Sequence, residues 1–305
     1  NHAFIFADFV AQERDISLEL RFSRAKAMEI YKNGVRQKRQ SDTQGLLKTV
    51  LFCPEDLMLV RAGAAARRRF LDTALCQMRP NYARYLEEYN RLHEHKTRIL
   101  RDSEEKPSLL SMWEDFSLRM AHIGAQIIRY RAYYCRKLLK AAAAVYADIA
   151  PHEVLSGVYK TVSSVTDPFA DARTIEKQLI DHVFSHKTAE IAAKSCLSGP
   201  HKDDLELLLD GRSAASFGSQ GQVRTCTLSL KLAERELFFD EDGEYPVLLL
   251  DDVLSELDRR RQDFVLNRIS AGQVMITCCE DGISEKLRAG AVFHIQNGKK
   301  SAETH

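Results

Sequence analysis

Val247–Leu250 reads VLLL between Pro246 and the pair Asp251-Asp252. Successive residues of a strand point to opposite faces, so four apolar residues in a row need cover on both sides. The run therefore reads as the buried central strand of a sheet with helices packed on it. Its carboxyl end would present two aspartates in the crevice where α/β sheets bind ligands. The surrounding sequence agrees. After Gly199-Pro200 come a strand LELLLD, a helix following SQGQ, the VLLLD strand, a helix RRRQDFVLNRI, a strand VMITCC, a short helix and a strand AVFHI. That alternation implies a layered sheet.

The first fifty residues follow a different period. ISLELRF (16–22) alternates Ile16, Leu18, Leu20 and Phe22 with Ser17, Glu19 and Arg21, as a half-buried strand does, and Asn33-Gly34 favours a type I′ hairpin turn. Antiparallel strands are expected there. Beyond Leu51 glycine nearly vanishes up to about residue 150. Pro80 to Arg101 and Leu109 to Tyr146 place Tyr82, Leu86, Tyr89, then Met120, Ile123, Ile127, Tyr130 and Tyr134 at helical spacing, with RDSEEKPS (101–108) as the turn between. Two long helices joined by a short polar turn form an antiparallel hairpin. YKTVSSV (159–165) reads as a strand and TIEKQLIDHVFSHKTAEIAAK (174–194) as a helix. The expected fold class is α/β, a head with a mixed sheet and an antiparallel β subdomain, interrupted by an inserted α-helical arm. Residues 1–76 would be the first part of the head, 77–196 the arm and 197–305 the second part.

With 44 Lys and Arg against 43 Asp and Glu, the net charge of +1 leaves any nucleic-acid contact to local basic clusters. No apolar run approaches the roughly 20 residues needed to cross a bilayer, so no membrane partner is expected. The seven cysteines show no CxxC spacing, and Cys278-Cys279 fall in the run read as a buried strand. This is the usage of reduced thiols in a cytoplasmic protein. The opening NHAFIFADFV lacks the charged region of a signal peptide and an initiator methionine, and reads as the start of a fragment or a processed chain.

Chemistry concentrates in two stretches. In FGSQGQ (217–222), Gly218 and Gly221 can take positive φ and let a ligand approach the backbone, while Ser219 can cap the helix that follows and offer a hydroxyl. Val223, Cys226, Leu230, Ala233 and Leu237 give that helix a packing face. Its free N–H groups and positive dipole end make an anion site, most naturally for phosphate, although an ordinary cap uses the same residues. Downstream, adjacent carboxylates at a strand end repel, and a hard cation relieves the repulsion. Mg²⁺ is typically held by one or two carboxylates plus phosphate oxygens, which leaves the second aspartate to orient or deprotonate a water. A solvated turn would also accommodate both.

Taken in order, SQGQ, LLLDD and SELD (255–258) resemble the signature motif, Walker B strand and D-loop of ABC-type ATPases of the SMC and Rad50 kind. LFCPEDL (51–57), RRRFLD (67–72), GPHKDDLEL (199–207) and FGSQGQVRT (217–225) are similar to segments of one branch of these, the RecF family of recombination and gap-repair proteins. The resemblance runs from about residue 3 to 296. It implies that Ser219, Gly221 and Gln222, with Gln220 beside them, contact the γ-phosphate of ATP bound to the opposite subunit of a head-to-head dimer. Asp251 would hold Mg²⁺, directly or through water. Asp252 would be the catalytic carboxylate where many such ATPases have Glu, so hydrolysis would be slow. Ser255, Glu256 and Asp258 would line the dimer seam, with Ser255 and Asp258 at the nucleotide. Thr277 stands where many have a switch histidine, and Pro54-Glu55-Asp56 falls at the Q-loop without a glutamine.

The same resemblance places a P-loop ahead of the first strands, and no GxxxxGK[ST] occurs here. As given, the chain is expected to bind ATP poorly or not at all and to represent such a protein without its first strand, P-loop and following helix; the complete protein would be a weak DNA-dependent ATPase. Arg36, Lys38 and Arg39, and Arg129, Arg131, Arg136 and Lys137 on the arm, are candidate phosphate contacts. Arg67–Arg69 would pair with acids of the head or contact DNA. His182 and His186 share a helix face without a third ligand, and His201 in GPHKDD suits a structural, interface or catalytic role. The implied function is ATP-dependent DNA binding in recombinational gap repair and replication-fork maintenance. Dimerisation would clamp DNA at duplex and single-strand junctions, hydrolysis would release it, and RecR and RecO would be partners in loading recombinase. A degenerate interaction module without ATPase function and a transport ATPase subunit are the alternatives.

Overall fold

The computed structural model describes residues 2–24, 26–279, 290–296 and 299–300. Strands β1 (His2–Ala11), β2 (Arg14–Ser23), β3 (Lys26–Lys32) and β4 (Val35–Arg36) form an antiparallel sheet in that order. The β3–β4 turn has Asn33 at φ 49° and Gly34 at φ 77°, the two positive values a type I′ turn requires. Asn33 Oδ1 also accepts from the Ser17 N–H at 2.8 Å, which fixes the register to β2. The period-two strand is present, but its apolar face is not buried. Ile16, Leu18 and Leu20 are partly covered and Phe22 is exposed; Ile30 is the fully buried apolar residue of this sheet among the described ones.

Next come β5 (Thr49–Phe52), α1 (Ala64–Met78), α2 (Pro80–Asp102), α3 (Trp113–Ile149), β6 (Leu155–Lys160), α4 (Ala172–Ser185), α5 (Lys187–Ala193), β7 (Asp204–Leu209), β8 (Arg212–Ser213) and the single turn α6 (Ala214–Phe217). The chain continues with α7 (Gln220–Asp242), β9 (Val247–Asp251), α8 (Arg259–Arg268), β10 (Val274–Thr277) and the pair β11 (Ile295–Gln296) and β12 (Lys299–Lys300). As the VLLL run demands, β9 lies between β5 and β10, parallel to both, with Leu248 and Leu250 buried. The outer edge of β5 is closed by side chains: Gln77 bonds both the N–H (2.8 Å) and the carbonyl (3.1 Å) of Thr49, and Lys231 Nζ donates to the Leu51 carbonyl at 2.8 Å. Helix α7 is buried on all sides from Val223 to Phe238 apart from Arg224 and Glu236, and α3 packs against it as well as against α2 and α4.

Several local expectations are corrected. YKTVSSV is a strand only through Lys160, because Lys160↔Asp204 is the last pair β7 can make; the strand instead begins at Leu155. Residues 174–194 form two helices broken at His186. Cys278 and Cys279 lie past the end of β10 and are exposed, since β10 has a strand neighbour on one side only among the described residues. Of AVFHI, Ile295 alone is in a strand, and the short helix before it falls outside the described residues.

The GPHKDD segment fastens the arm helices to the head. Arg131 of α3 is 2% exposed; its Nε and Nη2 donate to the two oxygens of Asp72 at 2.9 and 3.0 Å, and its Nη1 donates to Asp203 Oδ2 (3.1 Å) and the Pro200 carbonyl (2.7 Å). The hydroxyls of Tyr82 and Tyr159 bond to Asp72 and Asp203. His201 is also internal, with Nε2 on the Cys196 carbonyl at 3.0 Å and Nδ1 on the Tyr89 hydroxyl at 2.7 Å. Burial drives its pKa down to about 3, so the neutral ring donates to Cys196 and accepts from Tyr89. A second buried pair, Lys96 with Glu190 at 2.6 Å, receives the Trp113 indole N–H at 3.1 Å and locks α5 onto α2 and α3.

Candidate functional site

Ser219 is the N-cap of α7. Its Oγ accepts from the Gln222 N–H at 3.2 Å, while Gln222 Oε1 accepts from the Ser219 N–H at 2.8 Å, a reciprocal capping box. Neither glycine uses positive φ, contrary to expectation: Gly218 has φ −67° and Gly221 lies within the helix. Close approach explains Gly218, because a Cβ there would sit 2.6 Å from the Ala214 carbonyl oxygen; one on Gly221 would stand 3.3 Å from Arg261 Nη2. Arg61 Nη2 donates to the Gly218 carbonyl at 2.6 Å and steadies the loop. Ser219 and Gln220 are exposed, at the end of α7 where free N–H groups and the positive dipole lie.

At the end of β9 a single threonine organises both aspartates. Thr277, paired with Asp251 across the parallel strands, donates its hydroxyl to Asp251 Oδ1 at 2.6 Å and accepts from the Asp252 N–H at 3.0 Å. Asp252 sits at φ 51°, in the left-handed region, and Ser255 Oγ braces it at 2.6 Å from its carbonyl and 3.2 Å from its Oδ1. Holding a non-glycine residue there costs about 1 kcal/mol or more. Asp251 is exposed, and its Oδ2 accepts no hydrogen bond among the described residues. Among the described residues no group of three or more His, Cys, Asp or Glu could cage a metal. One or two carboxylates fit a Mg²⁺ bound mostly through phosphate oxygens and water.

Asp258 caps α8, accepting from the Arg261 N–H at 3.0 Å and from its guanidinium. Partial burial pushes this carboxyl up, but the bonds from Arg261 outweigh it and hold the pKa below the ordinary value. The same guanidinium reaches back to α7, with Nε on Thr225 Oγ1 at 2.9 Å and Nη2 on the Gly221 carbonyl at 3.1 Å. Arg224 crosses in the other direction, to the Glu256 carbonyl (2.6 Å) and carboxylate (3.1 Å). A cavity of about 260 Å³ lined by Pro54, Met58, Arg61, Gln220, Arg224 and Glu256 lies where these elements meet the Q-loop position. Sequence reasoning missed Arg61, Arg224 and Arg261. The signal for the last was the RRR run at 259–261, which puts cations at the positive end of a helix, an unfavourable place without an anionic partner.

The chain is 37% identical over 297 residues to the DNA replication and repair protein RecF of Bacillus cereus, covering 94% of this chain and 78% of that protein. The chain belongs to the RecF family. The RecF proteins of Clostridium tetani and Acetivibrio thermocellus are 34% and 32% identical over 95% and 96% of this chain and 79% of each relative. Among solved structures, the recombination mediator protein RecF-ATPrS in the RecFOR pathway is similar at a TM-score of 0.88 and 28% identity, covering 99% of this chain and 81% of that one. The corresponding RecF-ATP structure gives 0.85 and 30%, covering 94% and 76%. No protein-family model matches the chain. The α/β head of ABC-ATPase type, with its antiparallel β subdomain and helical arm, is thus the RecF-family fold.

Around this RecF-family site the other candidates divide. Gln222 is committed inside the chain, with Oε1 on Ser219 and Nε2 donating to Glu153 at 3.0 Å. Asp56 closes the Pro54 turn on the Cys53 N–H (3.1 Å) and pairs with Lys231 (3.2 Å). Arg131 is removed from the phosphate-contact set, because its guanidinium is buried and spent on Asp72 and Asp203. Arg67 pairs with Asp204, the pairing with head acids weighed from the sequence, whereas Arg68 bonds the Asp203 backbone carbonyl at 2.6 Å. Lys38, Arg39 and Lys137 are exposed, and exposed Arg36 pairs with Glu29 at 3.0 Å. Arg129 is half-buried, and Arg136 lies over the rings of Tyr133 and Phe169 at 5.0 and 4.7 Å. His182 and His186 stack at 4.1 Å, with His182 bonded to Ser198. Among the described residues no helix is long and apolar enough to cross a membrane.

Proposed function

We propose that these residues serve an ATP-dependent DNA-binding protein of replication and recombinational repair, in which ATP joins two heads through their signature loops. The observation that carries this reading is the cross-linking of the signature helix and D-loop by Arg224 and Arg261, with Ser219, Ser255, Glu256 and Asp258 exposed on either side. Such a pair of loops is held as one unit yet turned outward, as a surface that works on a second subunit must be. In that dimer the Ser219 hydroxyl and the first N–H groups of α7 would meet the γ-phosphate of the nucleotide on the other head. Asp251, oriented by Thr277, would hold Mg²⁺, which when bound neutralises charge on the phosphates. Asp252, braced by Ser255, would orient the attacking water, and Ser255 and Asp258 would line the seam. Residues 1–76 and 197–305 would form the head, and 77–196 the arm. Lys38, Arg39, Arg136 and Lys137 would give sequence-independent, salt-sensitive contacts to duplex and junction DNA. RecO and RecR would be partners, in keeping with the RecFOR pathway named for the related structures.

The test is ATP-dependent self-association of the full-length protein by analytical ultracentrifugation, with Ser219→Arg as the blocked variant. Dimer on adding ATP and Mg²⁺, lost in Ser219→Arg, is expected. A dimer indifferent to nucleotide would sink the reading, as would DNA affinity that neither ATP nor Asp252→Asn alters.

A further inference from the structure

The carboxyl end of α3 is fastened to both loops of the candidate site. Arg260, beside the D-loop, donates to the Ile149 carbonyl at 2.8 Å, and Arg268 pairs with Asp148. In the turn that follows, Glu153 takes the Gln222 amide on Oε1 at 3.0 Å and the hydroxyl of fully buried Tyr146 on Oε2. The turn is itself pinned. The Glu153 N–H bonds the Ala150 carbonyl at 3.1 Å, the Val154 N–H bonds Asp210 Oδ1 at 2.9 Å, and the Asp210 N–H returns to the Val154 carbonyl at 3.0 Å. Glu153 is half-buried and meets fixed donors on both oxygens.

This decides how Gln222 sits. A carboxylate only accepts hydrogen bonds, so the amide must present its NH₂ to Glu153, and its carbonyl is then turned to the Ser219 N–H. Turning the amide over would set oxygen against oxygen and break the capping box at once. We propose that Glu153 is the positioning residue of the signature loop. By fixing the Gln222 amide it holds Ser219 and the start of α7 in the shape that meets the other subunit's nucleotide, and it ties that shape to the end of the 37-residue helix α3. This rests on the dimerisation reading above. A change in the loop on nucleotide contact is thereby felt at the base of the arm, because Glu153 cannot follow Gln222 without pulling on Tyr146.

The test uses the full-length protein and three readouts: the ATP-driven dimerisation constant, nucleotide affinity of the protomer, and hydrogen exchange at residues 219–223. Glu153→Ala is expected to weaken dimerisation about tenfold, the scale of one hydrogen bond to a charged group. Protomer nucleotide affinity should hold and exchange at the loop should rise. Glu153→Gln, which still offers an oxygen to Gln222, should restore dimerisation to within about threefold. Glu153→Ala should add little in a Gln222→Ala background. Dimerisation and loop exchange of Glu153→Ala equal to wild type would overturn the inference while leaving ATP-driven dimerisation standing, and so would full additivity with Gln222→Ala. Wild-type protein that fails to dimerise with ATP would overturn both.

Discussion

Where the arm joins the head, the side chains of Arg131 and Asp203 are 3% and 0% exposed, whereas at the loop face Arg261 and Asp258 are 22% and 52% exposed. Both regions use an arginine with several bonds to join distant segments. The junction does so in the dry interior, where a charge left without its partner costs most. The loop face does so beside water, which can replace a lost bond at small cost. The contrast separates a buried, rigid junction from a surface that would be able to adjust in the proposed dimer.

The sharpest way to break that contrast is Arg131→Met, which strands Asp203 without its cation and is expected to cost about 3–5 kcal/mol of stability. Denaturant unfolding measures it; a loss under 1 kcal/mol would mean that the junction is no more rigid than the face. Next comes Glu234 of α7, 3% exposed, whose carboxyl burial raises to about 7 from an ordinary 4.5, against the pull of Lys231. The folded state therefore binds this proton more tightly than the unfolded chain. Its contribution is present below pH 4.5 and fades as pH rises through about 7, by about 3 kcal/mol in all. Melting curves from pH 4.5 to 8 should show wild type losing stability relative to Glu234→Gln; parallel curves would refute the shift. Arg261→Ala at the loop face should cost only about 1 kcal/mol while weakening ATP-driven dimerisation more than that loss explains. Similar on stability is Ser219→Arg, expected to cost about 1 kcal/mol through the lost N-cap of α7, although it should abolish the nucleotide-driven dimer. A large drop in its melting temperature would blur the distinction between the two regions.

How much was legible varies by residue. The type I′ turn at Asn33-Gly34, the cap at Ser219, the helices of the arm and the central placement of VLLL follow from neighbours in sequence, and the structure contains each of them. Arg131 could have been set apart as well. On an α-helix Arg129 and Arg136, seven apart, share a face, while Arg131 lies about 200° round from Arg129. That alone does not name Asp72 and Asp203 as its partners. The exposure of Cys278 and the fraying of YKTVSSV depend on where a neighbouring strand ends, which no local pattern reports.

From the sequence alone came the α/β class, the order of elements, the interrupting helical segment and the ordered loops that place the chain in its family, because periodicity, capping and turn chemistry are set within a few residues. Only the tertiary structure decided that Thr277 serves both aspartates, that Arg224 and Arg261 bind the signature helix to the D-loop, and that Glu153 holds the Gln222 amide. These bonds join residues separated by 25 to 69 positions. Which donor meets which acceptor over that span is fixed by the packing of α3, α7 and α8 around the sheet.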